Sequence, residues 1–118
     1  MMLSQNPQVK VYVCTRPMDM RKGFDRLAAV VTQTLQRDPL CGHWFVFRNR
    51  KGDRLKSLHW DGSGLALYYK RLDHGSFFWP RVQQGVMTLT PSELSLLIDG
   101  MDWRRLVQIE LKKPLQIA

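Results

Sequence analysis

Apolar and polar positions alternate over residues 9–14, Val-Lys-Val-Tyr-Val-Cys, and predict a first strand. Thr15-Arg16-Pro17 ends it, and from Asp19 the period changes. Met20, Phe24, Leu27, Val31 and Leu35 fall at steps of four, three, four and four, one stripe of a helix over about 19–36. Asp19 is its expected N-cap. Gly23 costs this helix about 1 kcal/mol relative to Ala, and Asp38-Pro39 closes it. Alternation returns over 43–49, with Phe45 and Phe47 on one face and Trp44 and Val46 on the other. It continues over 54–60, where Leu58 and Trp60 share a face. Asp61-Gly62-Ser63-Gly64 marks a turn. Residues 65–72 fit a helical stripe as well as a strand. The strand is preferred because Asp73-His74-Gly75-Ser76 reads as a hairpin turn into Phe77-Phe78-Trp79. Residues 86–89 add a short strand.

The second helix announces its start. Thr90-Pro91-Ser92-Glu93 places Thr at N-cap, Pro at N1 and Glu at N3, a capping box. Leu89 and Leu94 are placed for a hydrophobic staple. Leu94, Leu97, Ile98 and Met101 form the expected buried stripe, and Gly100 stands where a C′ glycine belongs. Residues 106–111 are read as a further strand and Pro114 onward as a loose tail. The pattern predicts one α+β domain over 1–118, with its core at about 9–111. Its sheet is antiparallel and meander-rich, with two helices at about 19–36 and 91–99, the first packed on one face.

Composition narrows the partner. The chain has 118 residues and carries 18 Lys and Arg against 10 Asp and Glu, a net charge of +8. That excess points to a polyanion, most simply nucleic acid. The competing reading is a basic protein that is merely soluble. Cys14 and Cys41 fit neither a disulfide framework nor a zinc spacing and are expected as buried free thiols. No secretory signal is apparent at the N-terminus, and no apolar run approaches the ~20 residues that span a bilayer. The expectation is a cytoplasmic protein with no membrane partner.

The charge is concentrated. Arg48, Arg50, Lys51, Arg54 and Lys56 surround one Gly52-Asp53 turn between two predicted strands. Such a finger can lay positive charge along a phosphate backbone. The plainer reading is a solvated tip that protects a sheet edge. Arg16, Arg21, Lys22 and Gly23 mark a second place, where cations, free N–H groups and the helix dipole would hold a phosphate or a partner's carboxylate. An Arg21–Asp25 pair at i, i+4 would offset part of the charge. Ordinary exposed cations explain the corner equally. Tyr68, Tyr69, Lys70 and Arg71 are the best candidates for stacking unpaired bases, while most other aromatics belong in the core.

Several segments together resemble one family over about residues 9–105. They are Asp19-Met20-Arg21-Lys22-Gly23-Phe24-Asp25, His43-Trp44-Phe45-Val46-Phe47, and Trp60-Asp61-Gly62-Ser63-Gly64-Leu65. They continue with Lys70-Arg71-Leu72, Phe78-Trp79-Pro80, and Leu96-Leu97-Ile98-Asp99-Gly100-Met101-Asp102-Trp103. The chain resembles the small TnpB-type accessory protein, a second reading frame product, of a large bacterial insertion-sequence family. It does not resemble the RNA-guided nuclease that shares the TnpB name. The resemblance implies a role in transposition beside a separate transposase subunit, which makes DNA, as element ends or non-specific duplex, the expected polyanion, and it supplies no catalytic site.

The residues themselves give little support to catalysis. Two-metal chemistry needs converging carboxylates, and the ten acids are scattered as caps, turn residues and ion-pair partners. Cys41-Gly42-His43 lacks the second pair a zinc site requires. The expectation is a non-enzyme with no cofactor and no metal. Two readings remain open: a DNA-binding module, and an adaptor that docks its basic surface on the transposase without binding DNA itself.

Overall fold

A computed structural model describes residues 8–81 and 85–104. In chain order the elements are β1 (Val11–Pro17), α1 (Phe24–Gln33), β2 (Trp44–Arg48), β3 (Arg54–Trp60), β4 (Leu65–Arg71), β5 (Val86–Leu89) and α2 (Pro91–Ile98). The five strands form one sheet in the order β4-β3-β2-β1-β5. The α+β class and the presence of two helices are as expected. The antiparallel meander holds for β2-β3-β4. β1 and β2 instead run parallel, so the sheet is mixed. The cause is α1, which carries the chain back along the sheet so that β2 starts from the same end as β1.

Alternation sends successive side chains to opposite faces, and β1 and β2 are covered on both. Val11, Val13, Trp44, Val46 and Leu55 meet Leu94, Leu97 and Ile98 from α2 on one face. Tyr12, Cys14, Phe45, Phe47 and Leu58 meet Leu27 and Val31 from α1 on the other. Cys14 is buried, which pushes its thiol pKa up. Cys41 is a free thiol too, but it is exposed, contrary to expectation, because the 38–43 turn lies outside both layers.

α2 follows its local signals closely. Thr90 and Glu93 exchange the two bonds of the capping box. The Gly100 amide bonds the Leu97 carbonyl and the Met101 amide bonds the Leu96 carbonyl, with Gly100 at φ +75°. That is a Schellman ending, and it leaves Met101 outside the helix and 55% exposed rather than in the buried stripe.

α1 departs from its expected bounds. Its N-cap is Gly23, with no side-chain cap bond, not Asp19. The Asp19 carboxylate instead accepts from the Arg21 amide and guanidinium, which folds residues 19–22 into a turn ahead of the helix. Arg21 therefore pairs with Asp19 and not with Asp25. Met20 still packs on the α1 layer, but from this turn, and Phe24 is 48% exposed.

Residues 77–79 do not form a strand. Their donors go elsewhere. The Phe77 amide and the Trp79 indole N–H both donate to the Gly52 carbonyl, each at 2.9 Å. The segment thereby clamps the β2–β3 turn. The strand expected at 106–111 and the tail from 114 lie outside the described residues.

His43 ties β1 to the entry of β2, its Nδ1 accepting from the Lys10 amide at 3.0 Å. Burial, with smaller contributions from Lys10 and Arg37, holds its pKa below the ordinary histidine value. A depressed histidine gives stability that is full above the unfolded value, about 6.5, and is lost as pH falls through the folded one. Urea midpoints should therefore decline as pH drops below that value. A His43→Gln chain should show a shallower decline over the same range.

Gly52 has φ +77°, and a Cβ there would lie 3.2 Å from Trp79 Cδ1 and Nε1. Gly52→Ala is expected to destabilise the fold by about 1–3 kcal/mol. It should also reduce hydrogen-exchange protection of the Phe77 amide.

Candidate nucleic-acid interface

The cationic turn is built by Asn49. Its Nδ2 donates to Asp53 Oδ1 at 2.6 Å, and its Oδ1 accepts from the Arg54 amide at 3.0 Å. The Asn49 bond, helped by Lys51 and Arg54, holds the Asp53 carboxyl below its usual range. Since Gly52 is pinned by Phe77 and Trp79, the tip lies against the 76–79 segment and does not project as a finger.

The expected cations have different fates. Arg48 turns inward, donating Nε to the Thr15 carbonyl at 2.6 Å and Nη1 to the Asn49 carbonyl at 3.3 Å. Lys56 is only 7% exposed. Its Nζ donates to the Lys22 carbonyl at 2.7 Å and lies 4.7 Å from the Tyr69 ring centre. Lys70 donates to the Ile98 carbonyl at the end of α2, also at 2.7 Å. These three ammonium and guanidinium groups complete the backbone. Arg50, Lys51 and Arg71 are exposed.

Register decides which of the rest converge. Arg54 stands opposite Arg71, and Lys56 opposite Tyr69. Arg54, Tyr69 and Arg71 therefore share the face on which α1 packs, at the end where Tyr69 remains 47% exposed. Arg54 Nη1 donates to the Tyr69 hydroxyl at 3.0 Å. Directly opposed like charges destabilise a strand pair, and among the described residues neither arginine forms a salt bridge. Tyr68 and Lys70 point to the α2 face, so the expected Tyr68–Arg71 group is divided between two surfaces.

The second expected place is also divided. The Arg21 fork is filled by Asp19, whose carboxyl is driven far below the ordinary range by that hydrogen bond. Lys22 offers its carbonyl to Lys56, and Gly23 caps α1. Arg16 lies instead against Gly85, beside β5.

Sequence reasoning missed Arg81 and Arg104. With Arg48 they line a cleft of about 590 Å³, together with Phe78 and Trp79. The available signal was Phe78-Trp79-Pro80-Arg81, an aromatic run that ends on a cation. Among the described residues no three His, Cys, Asp or Glu side chains gather as metal ligands, and no helix is long and apolar enough to cross a membrane.

Known proteins place these features in context. The family model described as IS66 Orf2 like protein matches residues 9–108. The chain is 40% identical over 117 residues to the Sinorhizobium fredii protein named "Uncharacterized protein y4jC", covering 99% of this chain and 100% of that one. It is 45% identical over 103 residues to "Uncharacterized protein y4hO" of the same organism, covering 87% and 90%. No solved structure matches.

The split among cations has a measurable consequence. Lys56→Met should cost about 1.5–3 kcal/mol of stability, because it leaves the Lys22 carbonyl without its charged donor. Lys70→Met should destabilise in the same direction. Arg71→Ala should stay within about 0.5 kcal/mol. Urea unfolding of the three variants checks this order.

Proposed function

This chain belongs to the IS66 Orf2-like family, and from that premise we propose that it supports transposition by holding duplex DNA on Arg50, Lys51, Arg54 and Arg71. Family membership makes it an accessory protein of an insertion sequence. The observation that carries the DNA reading is the Arg54–Arg71 pair, opposed across β3 and β4 on an open face with no salt bridge among the described residues. A polyanion would turn that repulsion into binding energy. Arg50 and Lys51 extend the charge along the adjoining turn.

On this reading the protein is non-catalytic and works in the cytoplasm beside a separate transposase. Four of its ten carboxylates already have structural duties. Asp19 holds Arg21, Asp53 holds Asn49, Asp61 accepts from Ser63 and Gly64, and Asp102 holds Arg104. Partly buried Trp60, Leu65 and Leu67 continue the same sheet face beyond the arginines. Apolar surface beside cationic surface suits a protein partner. That favours the transposase as a second ligand, and it supports the alternative of an adaptor that binds no DNA.

Binding of element-end duplex across a salt series separates the two. Four phosphate contacts give a log–log salt slope of about −3.6. Changing Arg50, Lys51, Arg54 and Arg71 to Ala should bring the slope close to zero. An unchanged slope would remove this surface from consideration. No DNA binding by the intact protein, with retained co-purification of transposase, would establish the adaptor.

A further inference from the structure

Phe78 poses a problem that the duplex surface does not solve. Its backbone is fixed: the Trp103 indole N–H donates to its carbonyl at 2.5 Å, and Phe77 and Pro80 on either side are buried. The residue is nonetheless 41% exposed. Phe78 is thus held partly in solvent at the cleft that Arg48, Arg81 and Arg104 also line.

The guanidiniums around it are poised. Arg48 commits Nε and one Nη1 hydrogen to carbonyls, so its Nη2 end is aimed and still has donors to give. Arg104 is held by Asp102 through Nε and Nη2, so its charge is matched as that of Arg21 is by Asp19 and only Nη1 is left as a donor; its Cζ lies 5.8 Å from the Phe78 ring centre. Arg81 is exposed and makes no ion pair among the described residues. Among the described residues no carboxylate lines the cleft.

We propose that this cleft binds one unpaired nucleotide of a DNA strand, with the phosphate on Arg48, Arg81 and Arg104 and the base stacked on Phe78. A base inside a duplex has both faces covered by its neighbours, so only an unpaired one can offer a face to the ring. A volume of about 590 Å³ falls in the range of small-ligand clefts, about 300–1,000 Å³. An acidic peptide would satisfy the arginines and leave the ring without a stacking partner. The inference rests on the DNA-binding reading above and adds a single-strand site distinct from the duplex surface.

The test is fluorescence anisotropy of the full chain with a short mixed-sequence single strand and with its duplex. Phe78→Ala should weaken single-strand binding roughly 5- to 150-fold, the worth of one base–aromatic stack, and leave duplex affinity unchanged. Phe78→Trp should restore it. Arg81→Ala should weaken the single strand and flatten its salt slope by about 0.7. Unchanged single-strand affinity in Phe78→Ala and Arg81→Ala, with duplex binding intact, overturns the cleft and leaves the duplex reading standing. Loss of transposase co-purification in these variants, with single-strand affinity retained, overturns it in favour of a protein-docking cleft. An intact chain that binds neither form of DNA defeats both readings.

Discussion

Main-chain carbonyls that leave a sheet or helix without a partner must find donors, and in this fold long side chains supply them. Arg48 serves Thr15 and Asn49, Lys56 serves Lys22, and Lys70 serves Ile98. Trp79 serves Gly52 and Trp103 serves Phe78. Each bond joins segments far apart in the chain except Arg48 to Asn49. Together they fix the turn before α1, the end of α2, the β2–β3 tip and the 76–81 segment onto one sheet. A buried carbonyl left without a donor costs about 1–3 kcal/mol, so these contacts decide where the irregular parts of the chain come to rest.

That constraint changes the meaning of the net charge. A formal +8 measures how many cations exist, not how many face solvent. Lys56 is buried because its ammonium gains a carbonyl and the Tyr69 ring face. Both interactions offset part of the cost of desolvating a charge. Arg21 is neutralised locally by Asp19. Fewer of the cations at 48–56 face solvent than their number suggests. Among the described residues the exposed ones include Arg50 and Lys51 on the turn, Arg71 beside Arg54 on the α1 face and Arg81 at the cleft, with Lys10, Arg16, Arg26 and Arg37 elsewhere on the surface.

Local signals were legible and tertiary ones were not. α2 could be read residue by residue, because the capping box and the glycine ending are contained within its own sequence. β1, β2 and β3 could be read from alternation, but β4 could not, since residues 65–72 fit a helical stripe equally and the hairpin into 77–79 that decided for the strand does not form. The start of α1 could not, because Asp19 is equally suited to cap a helix or to close a turn on Arg21, and the guanidinium favours the turn. The period of two already implies that Lys70 and Arg71 face opposite ways. What it cannot show is that Lys70 meets the end of α2, since that contact joins residues 28 apart in the chain. The cleft was hidden for the same reason. Thr15, Arg48, Arg81 and Arg104 meet only after the sheet has formed and the 76–81 segment has docked on Gly52.

The two cationic surfaces differ in what binding would cost them. Arg50 and Lys51 have no anchoring bonds among the described residues, so holding them on phosphate loses side-chain entropy, of order 0.5–1.5 kcal/mol for each. Their contribution is long-range attraction, which salt screens and which carries no sequence information. Arg48 and Arg104 are already tied to the Thr15 carbonyl and to Asp102, and the Phe78 backbone is tied to Trp103. Ordering them was completed during folding, so contact there loses less entropy and fixes geometry more tightly. On the proposed reading, an accessory protein built this way gathers DNA through its mobile cations and positions an unpaired end through its fixed ones. The inward-turned donors that hold the fold together are what make the second surface rigid enough for that task.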